Sequence, residues 1–244
     1  MMQFMAGDKC AFLELLHRSS AELYADHPDL MDAGQLIPTA NEIHGDDVAL
    51  FYEGCEAGLI TLSRGGRFNT LDRPTSAGRW GLLSRSRRGG WYNAEYLPQL
   101  AAYVDAILHL NYPSGRVLFE LPGSALQLDL AILDDNGRVV VLGEAKRDVG
   151  MLQTLRSNVI HRYTDAPPDM TGSKDEARQL AWRLWIVAPD YTWLIGPNHR
   201  SAFVTSLSPL RLEATADGRL PAAEAIGLDG APPTRTMTPP RLLS

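Results

Sequence analysis

The feature that most constrains this fold is Asp134-Asp135-Asn136-Gly137, which joins two apolar runs. Asn-Gly between β-branched runs predicts a tight β-hairpin, because both residues accept the positive φ of a type I′ turn. Taking Asn136 and Gly137 as the two loop residues fixes the antiparallel register. The facing pairs, from the turn outward, are then Asp135 with Arg138, Leu133 with Val140, Ala131 with Leu142, Asp129 with Glu144, and Gln127 with Lys146.

This register places two carboxylates opposite each other at the far end of the hairpin. Side chains alternate along a strand, so Asp129, Glu144 and Lys146 should emerge on one face. Both faces of the hairpin are otherwise apolar, as in central strands that helices cover. Facing carboxylates there repel unless one is protonated or a cation lies between them. Two carboxylates and the carbonyl of Ala145 suit Mg²⁺, and a lysine beside them could orient or deprotonate the attacking water.

The same residues carry a family resemblance. The motif consists of Asp129, fourteen intervening residues and then Glu144-Ala145-Lys146. It resembles the active-site hairpin of the PD-(D/E)XK nuclease superfamily, especially its archaeal Holliday-junction resolvase and Mrr-like branch. The similarity extends upstream through the strand 116–121 and the turn Pro122-Gly123-Ser124, and departs from the motif at Leu128, where proline is usual. The resemblance implies Mg²⁺-dependent phosphodiester hydrolysis, with Mn²⁺ as a substitute. It gives Asp129 and Glu144 as ligands, Lys146 as the catalytic lysine and Ser124 as a nucleic-acid contact.

The resemblance also suggests residues outside the hairpin. The segment 91–110 reads as a helix, and Glu95 occupies the first-turn position where the resembled nucleases carry an acidic residue. Either Asn93 caps this helix, leaving Pro98 inside it, or the helix starts near Pro98 and Glu95 lies on the preceding turn. Glu120 is the other candidate for an additional carboxylate. Gln153 on the helix after the hairpin either approaches the scissile phosphate or is a surface residue.

Charge is distributed unevenly along the chain. The net charge is −6, but residues 64–91, here called the arginine segment, hold seven arginines against Asp72 alone, which leaves −12 elsewhere. Arginines among glycines and aromatic residues are typical of segments that follow phosphates and stack on bases. The alternative is a solubilising loop whose arginines pair with acidic residues. The predicted nucleic-acid contacts are Arg64, Arg67, Arg79, Arg85, Arg87 and Arg88.

Periodicity predicts the remaining elements. Helices are expected at 10–25, 149–163 and 175–182, and strands at 184–189, 191–195 and 202–212, while 48–52 and 58–62 fit either strands or a helical unit. The predicted fold is α/β, with a mixed central β-sheet flanked by helices (a restriction-endonuclease-like core) and an α-rich N-terminal extension. The expected divisions are an N-terminal region at 1–89, a nuclease-like domain at 90–213 and a flexible Ala/Gly/Pro-rich tail at 214–244.

The chain is therefore expected to be a metal-dependent nuclease acting on DNA, of a restriction, defence or repair type. The competing hypothesis is a nuclease-fold module that binds nucleic acid or assembles with partners without catalysis, and a third is an acidic interaction protein. The sequence has two isolated cysteines, no apolar run of membrane length and no signal-peptide pattern. These features favour a cytoplasmic protein. A homodimer or a partner protein in a larger complex is also expected.

Overall fold

The computed structural model describes residues 2–28, 37–73, 80–86, 89–121, 126–169 and 174–229, without the side chains of 2–8, 86 and 89. The fold divides into two compact units. The N-terminal unit comprises Met1–Asp105, Lys146–Val149 and Gly196–His199, and the sheet unit comprises Ala106–Ala145, Gly150–Ile195 and Arg200–Ser244. Among the described residues, no helix has both the length and the apolar character needed to span a membrane.

The N-terminal unit combines helices with two small antiparallel sheets. Its elements are α1 (Met2–Asp26), α2 (Gly45–Glu56), β1 (Ile60–Ser63), a 3₁₀ turn (Arg64–Gly66), β2 (Arg67–Thr70), β3 (Trp80–Gly81), β4 (Leu83–Ser86), β5 (Gly89–Tyr92) and most of α3 (Tyr96–Leu108). The strands β1, β2 and β3 form one sheet, and β4 pairs with β5 in a separate ribbon. The predicted helix at 10–25 is confirmed, and the open alternative is resolved, since 48–52 lies in α2 whereas β1 overlaps 58–62.

Apolar spacing explains the first two helices. Phe12, Leu16 and Leu23 of α1 are buried at the spacing of one helical face. The ring of Phe12 meets Phe51 of α2 edge-on, with centroids 5.3 Å apart. This is a favourable aromatic geometry that joins the two helices.

The start of α3 decides between the two predicted positions of Glu95. The helix begins at Tyr96, so Glu95 lies on the preceding turn, where its carbonyl accepts a hydrogen bond from the Gln99 amide at 3.2 Å. Pro98 is then the third helical residue, in the first turn, where a missing N–H costs no helical hydrogen bond. The alternative with Asn93 as the N-cap is wrong for this reason.

The sheet unit is built on a mixed six-stranded sheet in the order β11-β10-β9-β8-β7-β6. Its elements are β6 (Val117–Phe119), β7 (Leu130–Leu133), β8 (Val139–Ala145), α4 (Val149–Arg162), α5 (Glu176–Val187), β9 (Tyr191–Gly196), β10 (His199–Ser206) and β11 (Arg211–Ala214). Strands β6, β7 and β8 are antiparallel neighbours, whereas β9 runs parallel to β8. The predicted α/β class with a mixed, helix-flanked sheet is confirmed.

One face of this sheet is covered by α4 and α5. Ala131 of β7, Leu142 of β8 and Leu194 of β9 share a buried core with both helices. The helical contribution comes from Leu152, Leu155 and Val159 of α4 and from Ala177, Leu180, Ala181 and Leu184 of α5. Side chains of β8 that share the orientation of Leu142 therefore point towards these helices.

The predicted strand at 184–189 is wrong, because residues 184–187 form the last turn of α5. Burial in α5 follows the helical spacing of Ala177, Leu180 and Leu184, and Ile186 is 53% exposed. Asp175 caps the N-terminus of the helix, and Ala188 ends it in the left-handed conformation with φ +48°. The apolar run 184–188 resembles a strand locally, but within the helix only Leu184 is fully buried, while Trp185 and Val187 are partly buried against the same core.

The hairpin turn also differs from the prediction. Asp134, not Asp135, faces Arg138, and the loop has three residues ending at Gly137 with φ +79°. The Asp134 carboxylate accepts hydrogen bonds from the amides of Asn136 and Arg138, both at 2.9 Å, which stabilises this longer turn. It is the three-residue alternative to a type I′ hairpin, with glycine in the left-handed position.

A bulge then restores the predicted register. Leu133 pairs with Val139 rather than with Val140, but the next pairs are Ile132 with Val141 and Ala131 with Leu142. The extra residue on β8 compensates for the extra residue in the loop. The predicted pair of Ala131 and Leu142 is therefore confirmed, although the pairs Asp135 with Arg138 and Leu133 with Val140 are wrong.

The first part of the predicted C-terminal tail packs against the sheet unit. Leu220, Ala223 and Leu228 are buried. The Tyr112 hydroxyl donates to the Pro221 carbonyl at 2.6 Å, and the Ala223 amide donates to the Leu110 carbonyl at 2.8 Å. Residues 230–244 lie outside the described residues.

Candidate metal centre

Asp129 and Glu144 lie at the end of the β7–β8 hairpin away from its turn. Leu130 pairs with Gly143, so the same register sets Asp129 beside Glu144. Asp129 Oδ2 accepts a hydrogen bond from the Ala145 amide at 2.7 Å, which ties the carboxylate to the residue after Glu144. We call these two residues the acidic pair. The structure thus places the two predicted ligands on neighbouring strand ends, and their joint binding of a metal ion stays a prediction.

Glu144 has a cationic partner that the sequence did not indicate. It shares the orientation of Leu142 towards α5, and its Oε2 accepts a hydrogen bond from Nη1 of Arg183 at 2.7 Å. Both residues are buried, with Glu144 3% exposed and Arg183 9% exposed. Arg183 lay between the predicted helix 175–182 and the predicted strand 184–189, so its place on the buried face of a helix emerges only from the full extent of α5.

Glu120 is the neighbour of Asp129 on the other side. Its amide donates to the Asp129 carbonyl at 2.8 Å, which extends the β6–β7 pairing by one residue. Glu120 is half-buried and has φ +51°, an uncommon conformation for a residue with a side chain. Glu95, by contrast, is exposed and belongs to the N-terminal unit. Of the two predicted additional carboxylates, Glu120 is the one that the sheet unit holds next to Asp129.

Lys146 follows the last residue of β8 and is 8% exposed. It is grouped with the N-terminal unit, whereas the acidic pair and Ala145 belong to the sheet unit. The predicted position of the Lys146 ammonium group beside the acidic pair therefore stays a prediction. Its burial is unusual for a lysine and fits a specific rather than a solvating role.

The donor set fits a hard cation with few protein ligands. Among the described residues, no three His, Cys, Asp or Glu side chains are grouped closely enough to hold a metal ion. Mg²⁺, however, is usually bound through one or two carboxylates, with water and substrate phosphate completing its shell. The carboxylates of Asp129 and Glu144 and the Ala145 carbonyl fit that pattern. A site in which protein groups supply every ligand does not fit these residues.

The arginines of the arginine segment differ in the contacts that they make. Arg64 forms an ion pair with Asp26 at 3.0 Å, and its hydrogen bond holds the pKa of the Asp26 carboxyl below its usual range. Arg73 stacks over the Trp80 ring, 5.1 Å from its centroid. Arg67 and Arg85 are exposed. The alternative in which arginines pair with acidic residues therefore applies to Arg64.

The other predicted nucleic-acid contacts have mixed outcomes. Gln153 is exposed on α4, in agreement with either of its predicted roles. Arg79, Arg87, Arg88 and Ser124 lie outside the described residues. Comparison with known proteins finds no matching family model, no matching curated protein and no matching solved structure.

Proposed function

We propose that this chain is a metal-dependent nuclease that hydrolyses phosphodiester bonds of DNA, of a restriction, defence or repair type. The observation that carries the proposal is the acidic pair, held together by the hydrogen bond from the Ala145 amide to Asp129 at the end of a buried hairpin. Around it the chain runs through α3, the antiparallel strands β6, β7 and β8, the helices α4 and α5 and the parallel strand β9, which gives the expected mixed, helix-flanked sheet.

Each residue of the proposed centre has a distinct task. Asp129 and Glu144 would hold Mg²⁺ together with the Ala145 carbonyl, and Lys146 would orient the nucleophilic water or neutralise charge on the phosphate. A bound Mg²⁺ would supply positive charge that activates water and stabilises the developing negative charge on phosphate oxygens. Arg183 fixes the Glu144 carboxylate from α5 through the 2.7 Å hydrogen bond. Glu120 replaces Glu95 as our candidate for the additional acidic residue.

The nucleic acid would be held electrostatically by exposed arginines. Among the described members of the predicted set, Arg67 and Arg85 are exposed, whereas Arg64 forms the ion pair with Asp26. Arginine contacts to phosphates release counterions, so binding should weaken steeply as salt concentration rises. A binding constant that does not respond to salt would remove this part of the proposal.

The decisive experiment is a cleavage assay with plasmid, single-stranded DNA and RNA, each with Mg²⁺, with Mn²⁺ and with EDTA. The variant Asp129→Asn removes one ligand charge but keeps an acceptor for the Ala145 amide. Asp165→Asn is the matched control, because Asp165 is an exposed carboxylate outside the hairpin. We expect divalent-dependent cleavage by the wild type and by Asp165→Asn, and none by Asp129→Asn. Equal activity in all three proteins would exclude the acidic pair from the chemistry.

A second candidate function follows from the Arg183–Glu144 ion pair. The guanidinium already neutralises one carboxylate of the pair inside the fold, which favours a module that binds nucleic acid or assembles with a partner without catalysis. Titration with Mn²⁺ separates the two candidates. A catalytic centre should bind the ion and lose affinity in Asp129→Asn, whereas a silent module should show no binding that depends on Asp129.

A further inference from the structure

The ribbon formed by β4 and β5 displays an exposed tryptophan. Trp91 is 44% exposed although it lies within a paired strand opposite Ser84. Its cross-strand neighbour is small, so much of the indole surface faces solvent. The adjacent pair is Arg85 with Gly90, and Arg85 is also exposed.

The exposed indole is held in a fixed position. Trp91 Nε1 donates to Asn93 Oδ1 at 2.9 Å. The Asn93 amide nitrogen in turn donates to Ser84 Oγ at 2.6 Å and to the Gly81 carbonyl, and the Asn93 backbone amide donates to the Leu82 carbonyl at 2.9 Å. Asn93 therefore connects the indole to β4 and to the end of β3. An aromatic ring ordered in this way loses little conformational freedom when a ligand stacks on it.

We propose that Trp91 is a stacking platform for an unpaired base, so that the ribbon binds single-stranded DNA. The proposal rests on the proposed action on DNA and specifies the form of that substrate. Stacking on an aromatic ring requires an accessible base face, which single strands offer and the interior of a duplex does not. Arg85, one residue pair along the ribbon, alternates to the face opposite Trp91, so its exposed charge adds to the general attraction of this unit for a phosphate backbone and does not contact the stacked base.

The test is fluorescence anisotropy with labelled oligo(dT) and with a duplex of equal length, in EDTA so that no cleavage occurs. Trp91→Ala should weaken oligo(dT) binding about tenfold, since a stacked base contributes on the order of tenfold or more in affinity. Trp91→Phe should retain most of the affinity, and duplex binding should change little in either variant. Unfolding curves of each variant establish that the fold is intact.

Leu71→Ala is the matched control, because Leu71 is 47% exposed in the same unit and is aliphatic. Unchanged oligo(dT) binding by Leu71→Ala beside a loss in Trp91→Ala supports stacking. Three results would overturn the stacking proposal. They are an equal effect of Trp91→Ala and Leu71→Ala on oligo(dT) binding, no effect of Trp91→Ala on that binding, and a loss of duplex binding in Trp91→Ala as large as its loss of oligo(dT) binding. If oligo(dT) binding depends on Trp91 but the protein cleaves nothing, this inference stands and the nuclease proposal fails. If the protein cleaves DNA but oligo(dT) binding does not depend on Trp91, the nuclease proposal stands and this inference fails.

Discussion

Arg183 and Glu144 form a buried ion pair between α5 and β8, with Nη1 and Oε2 2.7 Å apart. The pair links the helix that covers the sheet to the strand that carries the candidate metal ligand. Removing a charge from water is costly, and the opposite charge of the partner offsets part of that cost for each residue. The same contact orients the Glu144 carboxylate. It also places the positive charge of Arg183 next to the carboxylate that would bind a cation.

Replacing Arg183 with Met should destabilise the protein by about 3 kcal/mol, because it removes the guanidinium that offsets the buried charge of the Glu144 carboxylate. Urea unfolding in EDTA measures this loss. The double variant Arg183→Met with Glu144→Gln removes both charges and should recover most of the stability. If Glu144 binds a cation, added Mn²⁺ should also restore stability to Arg183→Met; stability that is indifferent to Mn²⁺ would make the pair purely structural.

Replacing Asp129 with Asn should lower the affinity for Mn²⁺ about tenfold or more, because one of two anionic ligands is lost. The asparagine oxygen can still accept the hydrogen bond from the Ala145 amide, so the free energy of unfolding should change little. Isothermal titration calorimetry gives the affinity. Asp129→Ala, which also loses that hydrogen bond, should cost about 1 kcal/mol of stability in addition.

Replacing Lys146 with Met should reduce cleavage about a hundredfold or more while DNA binding and unfolding stay close to wild type. Methionine keeps the apolar stem of this buried lysine, so lost packing should not obscure the lost charge. Single-turnover cleavage and anisotropy measure the two effects separately. A variant that fails to fold would reassign Lys146 to a structural role, and unchanged cleavage would remove it from the mechanism.

Stability should depend on pH through Asp175, which caps α5. The hydrogen bond from the Arg162 guanidinium, with further help from the backbone amides of Arg178 and Ala177, holds the pKa of Asp175 below its usual range. The folded state thus favours the carboxylate. This stabilisation is complete above the unfolded value of about 3.9 and is lost as the pH falls through the lower folded pKa.

Urea unfolding over acidic pH should therefore show wild type more stable than Asp175→Asn near neutrality, with the difference vanishing at low pH. Asparagine keeps the cap, so this comparison isolates the charge. Asp175→Ala loses the cap as well and should be about 1 kcal/mol less stable than Asp175→Asn at every pH. A constant difference between wild type and Asp175→Asn would contradict the lowered pKa.

Local signals explain what was predictable from the sequence. The apolar runs on either side of Asn136-Gly137 determine a hairpin, and the paired Ala131 and Leu142 follow from them. Strand alternation has a period of two, so a register fixed at one pair places Asp129 beside Glu144. Helical spacing similarly predicted α1 and α4.

The length of the hairpin loop could not be predicted from the Asn136-Gly137 dipeptide alone. The Asp134 carboxylate competes for the amides of Asn136 and Arg138 and lengthens the loop. The bulge on β8 then corrects the register, because the buried face of the strand must meet the core of α4 and α5. The predicted outcome was right although the predicted turn was wrong, since burial imposes the register regardless of the loop.

The sequence by itself determined the hairpin, the class of the fold and the adjacency of Asp129 to Glu144, because these depend on neighbouring residues and on period-two alternation. Only the tertiary structure decided that 184–187 continue a helix, that Arg183 reaches Glu144 and that Arg64 is engaged by Asp26. Each of these depends on which surface an element buries, and residues distant in sequence set that surface. Local propensity carries no information about such partners.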